Sequence, residues 1–267
     1  MIIAPATLKL KKDKLIMFFD TETTGLIFDE KNKKELRPLE QQPYITQLSY
    51  ILFNPTTYEM KTIKNSYIKQ PNPNTITPFI TNITGITNEI CATQGTDIKD
   101  ALWEFYKDWQ QCDKLIAHNI EFDIITITNE FLRNIDYFME KDPQIQLFMR
   151  YRTEYAKKWN MREYKNLPKS VYCTMFSTMK FCDIKQKNGY GIKYPRLSEL
   201  YVILFNEEPP QPLHNAVIDT LIGLRCYLKY KEDKTIHNEK FNRMIKDAFR
   251  LTNLDVSLLD ANLREVR

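Results

Sequence analysis

The chain has 267 residues, 43% of them hydrophobic and 12% aromatic, with a formal net charge of +4. That is enough apolar material for one large domain, with or without appendages. No apolar run approaches the ~18 residues of a membrane-crossing helix, which argues against a membrane protein. The charge is compatible with a polyanionic partner but too small to establish one. Five cysteines, Cys91, Cys112, Cys173, Cys182 and Cys226, show no metal-ligand spacing. They read as reduced thiols, mostly buried, in a cytoplasmic, reducing compartment. The N-terminal MIIAPATLKLKKDK places its charge after a very short apolar segment, the wrong order for a secretory signal.

Residues 1–14 read as a loose lead-in. Leu15 to Phe19 are all apolar, as in a strand covered on both faces at the centre of a sheet. ITQLSYILFN, 45–54, and MKTIKNSYIKQ, 60–70, predict two further strands, and the short links favour antiparallel neighbours. Pro71, Pro73 and Pro78 mark 71–78 as a loop. Ile98, Leu102, Phe105, Tyr106 and Trp109 recur at helical spacing after Asp97. KLIAHN, 114–119, predicts a short buried strand, and from Glu121 on, Phe122, Ile124, Ile125, Ile127 and Phe131 continue as a helix. Residues 136–170 read as a partly helical insertion rich in Lys, Arg, Tyr, Gln and Met.

VYCTM, 171–175, returns to strand character. RLSELYVILF, 196–205, predicts an amphipathic helix with Ser198 as a candidate cap, and 215–230 a second, apolar helix. Residues 231–267 begin polar. They then carry Phe241, Ile245, Ala248 and Phe249 at helical spacing, which predicts a helical tail packed on the body or on a partner. Three antiparallel strands followed by alternating helices and strands make an α/β fold, a mixed sheet with helices on its faces. Ligands in such sheets bind beyond the strand ends.

The first strand ends in Asp20 and Glu22, two apart and on one face. Like charges that close repel, and a divalent cation removes the conflict by neutralising both. Oxygen ligands favour Mg²⁺ or Mn²⁺ over zinc. The alternative is that Asp20 caps a following helix. AHNIEFD, 117–123, places Asp123 at a helix start, where a carboxylate is also at home for dipole reasons alone. In LHNAVIDT, 213–220, His214 and Asp219 would lie ~140° apart on one helix. With Asn215 as N-cap, His214 falls on the preceding loop and can turn towards Asp219's surroundings. Each segment alone has a structural explanation.

Together, DTETTG (20–25), HNIEFD (118–123) and HNAVIDT (214–220) resemble the three motifs of the DEDDh 3′–5′ exonucleases, the family of the proofreading epsilon subunit of bacterial DNA polymerase III. NITGIT (82–87) resembles a segment of the epsilon-like branch, with Thr84 where that branch often has His. The resemblance spans roughly residues 14–230, leaving the insertion around 136–170 and the extension 231–267 outside it. It implies an RNase H-like mixed five-stranded sheet and a two-metal phosphodiesterase acting on 3′ ends of single-stranded or frayed nucleic acid. Asp20, Glu22, Asp123 and Asp219 would hold two Mg²⁺ or Mn²⁺ ions, and His214 would be the general base.

Thr23, Thr24 and Gly25 would meet the terminal nucleotide through their backbone. Leu26 and Phe122 would stack or wedge against bases, and Asn119 would hydrogen-bond the substrate or hold its loop. His118 is as well explained as a structural residue. KNKK (31–34), Arg150 to Arg152 and Lys157-Lys158 are candidate phosphate contacts. Tyr151, Tyr155, Trp159 and Tyr164 lie near them as candidate stacking groups. Two alternatives stay open. One is an RNA-trimming ribonuclease of the same fold, and the other a module that binds a polymerase or repair partner through 231–267.

Overall fold

The computed structural model describes residues 14–28, 36–72, 75–157, 167–255, 257 and 259. Its centre is a five-stranded sheet of order β3-β2-β1-β4-β5. The strands are β1 (Ile16–Thr23), β2 (Ile45–Asn54), β3 (Glu59–Tyr67), β4 (Lys114–Ala117) and β5 (Ser170–Cys173). β1 pairs antiparallel with β2, and β2 with β3, while β1–β4 and β4–β5 are parallel. The sheet is therefore mixed, as the sequence predicts.

β1 is the middle strand, and its apolar run is split between two cores. Met17 and Phe19 face one side, against α3 (Ile98–Gln111) and α4 (Ile120–Arg133). Ile16 and Phe18 face the other, against α8 (Leu197–Phe205) and α9 (Ala216–Lys231). This alternation continues into the motif. Thr21 is directed to the α4 side, and Asp20 and Glu22 to the α9 side.

α1 (Pro78–Thr84) and α2 (Asn88–Gln94) occupy a stretch that the sequence reading leaves without elements. Pro78 is the first residue of α1, where a missing N–H costs nothing, and the Thr77 side chain caps Ile80 N. Thr87 caps α2 in the same way. Ser198 is not a cap: α8 begins at Leu197, and the Glu199 carboxylate accepts from Arg196 N at 2.8 Å.

The described part of the segment 136–170 is built into the body through two helices. α5 (Ile135–Lys141) and α6 (Ile145–Lys157) place Phe138, Phe148 and Tyr151 in the α4-side core, with the Phe148 ring 5.2 Å from Trp109. Tyr151 is fully buried, which corrects its reading as a nucleic-acid contact. Arg152 is committed to Asn129, donating from Nε at 2.9 Å. Tyr155 and Lys157 belong to α6, whereas KNKK, Lys158, Trp159 and Tyr164 lie outside the described residues.

β5 runs into α7 (Thr174–Cys182). The tail forms α10 (Asn238–Leu251), whose Phe241, Ile245, Ala248 and Phe249 are buried in the α9-side core. The apolar face that suggested a partner is thus occupied by the body. Buried Arg225 fixes the junction, donating to Ile236 O at 3.1 Å, Glu207 Oε1 at 2.9 Å and Asn238 Oδ1. All five cysteines are free thiols, four of them buried. Among the described residues, no helix is long and apolar enough to cross a membrane.

α9 lies so close to β1 that a Cβ at Gly223 would sit 2.1 Å from the Phe18 ring. In an unhindered helix Gly→Ala is worth about 1 kcal/mol of stability. Here the overlap reverses the sign. Gly223→Ala should destabilise by about 1–3 kcal/mol in denaturant titration, and Phe18→Leu in the same chain should recover part of the loss.

Candidate active site

The site lies at the C-terminal end of β1, where three elements deliver its acid groups. β1 is extended through Glu22, opposite Gln47 of β2, and a register shift after Glu22 ends the regular pairing. Asp123 is the fourth residue of α4, and Asp219 the fourth of α9. Both helices are entered sharply. Asn119 (φ 74°) caps α4 in a left-handed conformation, and His214 (φ 59°) stands in that conformation just before the α9 cap. Asn and His adopt it more readily than most residues. Asn215 caps α9 by accepting from Val217 N at 3.1 Å. As predicted, His214 therefore lies on the loop. Ligand atoms of Glu22, His214 and Asp219 all fall within 4.8 Å of one another.

Asp123 arrives from the opposite face of the sheet. Its Oδ1 accepts from Thr21 N at 2.9 Å and Thr21 Oγ1 at 2.8 Å. Thr21, between the two acids of β1, thus ties the third carboxylate to the same strand. Gln47, fully buried, performs a similar task on the other side. Its Oε1 accepts from Ala216 N at 3.2 Å, and its Nε2 donates to Asn65 Oδ1 at 2.8 Å. The first turn of α9 is thereby fixed to β2 at the rung facing Glu22. Neither Thr21 nor Gln47 is singled out by the sequence. The available signal was a lone amide in an apolar strand.

The electrostatics follow from crowding. Burial pushes Asp20 up to about 7. Glu22 rises to about 10 through burial, then through repulsion from Asp20, Asp219 and Asp123. Burial and the charge of Asp20 also raise Asp123 and Asp219 well above the usual carboxylate range, with Thr21 opposing this at Asp123 and the His214 backbone at Asp219. Four acids of one sign in one partly dry site resist joint ionisation. Their oxygens form a donor set for hard divalent cations, and such a charge would oppose all four shifts by favouring the ionised carboxylates.

A cleft of about 570 Å³ adjoins the acids. Its walls include Glu22, Thr23, Thr24, Gly25, Leu26 and Phe122, six residues named from the sequence, together with Arg37. α1 supplies the opposite wall with Phe79, Ile80, Ile83 and Thr84. Leu26 is 63% and Phe79 70% exposed. The α1 residues are missed by the sequence reading because their helix is missed.

One backbone donor of this loop is already engaged. Thr24 N donates to Tyr44 O at 3.0 Å, and Thr24 Oγ1 accepts from Tyr44 N at 3.0 Å, so this residue anchors the loop. Thr23 Oγ1 is spent on Gly25 O at 2.7 Å. A Cβ at Gly25 would meet no protein atom within 4 Å, so the space beside it is open. Asn119 is exposed and makes no side-chain capping bond.

The sequence model of a family described as exonuclease matches residues 17–175, more than half of the chain. The chain belongs to the exonuclease family. Members of this family are hydrolytic enzymes, and the fold agrees with that of solved exonucleases. E. coli exonuclease I in complex with a dA16 oligonucleotide is similar at a TM-score of 0.54 and 16% identity, over 87% of this chain and 43% of that chain. The zinc-bound E. coli ExoI–ssDNA complex gives 0.53 and 18%, over 87% and 43%. A product-bound exonuclease I gives 0.56 and 15%, over 88% and 46%. At such identities the likeness is one of RNase H-like fold, and the chain spans less than half the length of these proteins. Among curated proteins no match is found.

His118 is structural. Nε2 lies 3.0 Å from Pro195 O, which only accepts, so the neutral ring carries its proton there, and Nδ1 accepts from Thr174 Oγ1 at 3.0 Å. Burial holds its pKa down at about 4, against an ordinary 6.5. The unfolded chain takes up this proton as pH falls through 6.5, whereas the folded chain waits until about 4. Stability from this group is therefore complete above pH 6.5 and falls by about 3 kcal/mol towards pH 4. The raised acids act in the opposite sense, so the readout is a difference. The stability of His118→Gln relative to the wild type should rise by about 3 kcal/mol as pH falls from 6.5 to 4 in denaturant titrations.

Proposed function

We propose that the protein is a divalent-cation-dependent 3′–5′ exonuclease, removing nucleoside 5′-monophosphates from single-stranded or frayed DNA ends in a proofreading or repair role. The observation that carries this reading is the convergence of Asp20, Glu22, Asp123 and Asp219 beside His214, at the head of a cleft with apolar walls. DNA is favoured because the similar exonuclease I structures hold dA16 and single-stranded DNA.

The four carboxylates would hold two Mg²⁺ or Mn²⁺ ions, which when bound activate water and offset phosphate charge. The chain's own groups do the rest. His214 is on the rim beside Glu22 and Asp219. Its ring nitrogen takes the proton from the attacking water as the new P–O bond forms. The bond from phosphorus to the 3′ oxygen breaks, leaving a 3′-hydroxyl on the shortened strand and a 5′-monophosphate as product. Leu26 and Phe122 on one wall, with Phe79 and Ile83 on the other, hold the terminal bases by apolar contact and stacking. Arg37 brings positive charge to the same cleft.

Oligonucleotides labelled at the 3′ or the 5′ end, incubated with Mg²⁺ or with EDTA, test the reading. Immediate release of 3′ label with Mg²⁺ alone is expected. His214→Ala should lower the rate by about 10²–10⁴-fold, and full activity in Asp20→Ala or His214→Ala would defeat the assignment. A thermal measurement adds a check independent of turnover. Asp20→Asn should raise the melting midpoint in EDTA, since a repelling charge is gone. It should also abolish the gain that MnCl₂ gives the wild type, about 2.7 kcal/mol at a hundredfold excess over Kd.

A further inference from the structure

A second groove opens on the sheet edge at β5, between that strand, α7 and the C-terminal end of α9, with a volume of about 570 Å³. Tyr172, Phe176, Lys180, Tyr230 and Lys231 line it, and none of its lining residues is acidic. We propose that this groove binds the single strand leading away from the catalytic cleft, an inference that rests on the nuclease reading above.

Its position supports this role. The Phe176 ring lies 6.2 Å from that of Tyr194. Tyr194 precedes Pro195, whose carbonyl oxygen accepts from His118, and His118 precedes the Asn119 cap of α4, the helix that carries Asp123. One end of the groove is therefore tied to the catalytic end of the sheet. The other end holds Tyr230, eleven positions beyond Asp219 on α9, or about 17 Å along the axis.

Its chemistry supports a polyanion with flat bases. Phe181 is 50% and Tyr194 48% exposed, large rings open to solvent beside this groove. Phe181 packs at 5.0 Å from Tyr230, and Lys231 Nζ lies 5.7 Å above the Tyr172 ring. Among the described residues neither Lys180 nor Lys231 forms an ion pair, whereas Lys185 and Lys193 are paired with Asp183 and Glu199. Aromatic rings for stacking, alternating with uncompensated lysines for phosphates, are the two components of a sequence-tolerant single-strand track.

The test is fluorescence anisotropy of labelled oligo(dT) and oligo(rU), each about 16 nucleotides long, in EDTA at several salt concentrations. Lys180→Glu with Lys231→Glu should weaken binding at least tenfold. The salt slope should become shallower by about 1.4, some 0.7 for each phosphate that a lysine no longer neutralises. The neutral pair Lys180→Gln with Lys231→Gln should give the same slope change, and melting midpoints control for folding. Weaker binding of oligo(dT) alone assigns the track to DNA, and weaker binding of both assigns it to either nucleic acid. Wild-type affinity and slope in both lysine pairs would overturn the proposal, as would a wild type that binds no strand. A groove built for a protein would give that same unchanged result. Hydrolysis by the wild type is read separately, so an inactive protein with an intact lysine effect removes the nuclease reading and leaves the groove standing.

Discussion

The structure depends on the burial of like charges. Asp20, Glu22, Asp123 and Asp219 are brought together at the end of a buried strand, where lost hydration is the first cost of ionising them and repulsion the second: Asp20 acts on the other three, and Asp123 and Asp219 act on Glu22. Nothing in the core requires this, since shorter polar side chains would end β1 at lower cost. The surrounding architecture holds the acids in place against that cost. β1 stays extended through Glu22, Thr21 grips Asp123 from the far side, and Gln47 fixes the start of α9. Asp123 and Asp219 both stand in the first turn of a helix, where the exposed N–H groups favour negative charge.

These helix starts offset the cost only in part. Two hydrogen bonds from Thr21 at Asp123 and one from the His214 backbone at Asp219 lower the shifts without returning them to the ordinary range. On the proposed reading, positive charge from outside the chain would complete the balance, and oxygen donors would favour hard cations for it. The same geometry explains why His214 needs a left-handed backbone. Placed one residue before the cap, it stays off the helix and reaches the rim beside Glu22 and Asp219, which no position inside α9 near Asp219 would allow.

Much of this was legible in the sequence, and the failures have physical causes. The all-apolar run before Asp20 identified the central strand, and β2 coincides with ITQLSYILFN. Motif spacing gave the acids and His214, because each sits at a strand end or helix start that leaves a local signature. α1 and α2 were illegible because their caps are ambiguous. Thr, Asn and Pro dominate 71–88, and a residue type that starts a helix also makes a loop. With α1 unseen, Phe79 and Ile83 had no cleft to line. Tyr151 and Arg152 looked like surface chemistry since composition does not distinguish a ring that stacks on bases from one packed against Trp109. The tail's apolar spacing was correct, but spacing does not say which surface a helix covers. α10 covers its own body.

The central claim is that the acids are held together for a cation. Calorimetric titration with Mn²⁺ at pH 7, repeated in buffers of different ionisation enthalpy, tests it most directly. Glu22, pushed up to about 10, and Asp20, near 7, keep protons at that pH. The account predicts that binding expels about one proton or more per chain, and that Glu22→Gln reduces the number. Binding with no proton release, or a release untouched by Glu22→Gln, would contradict it.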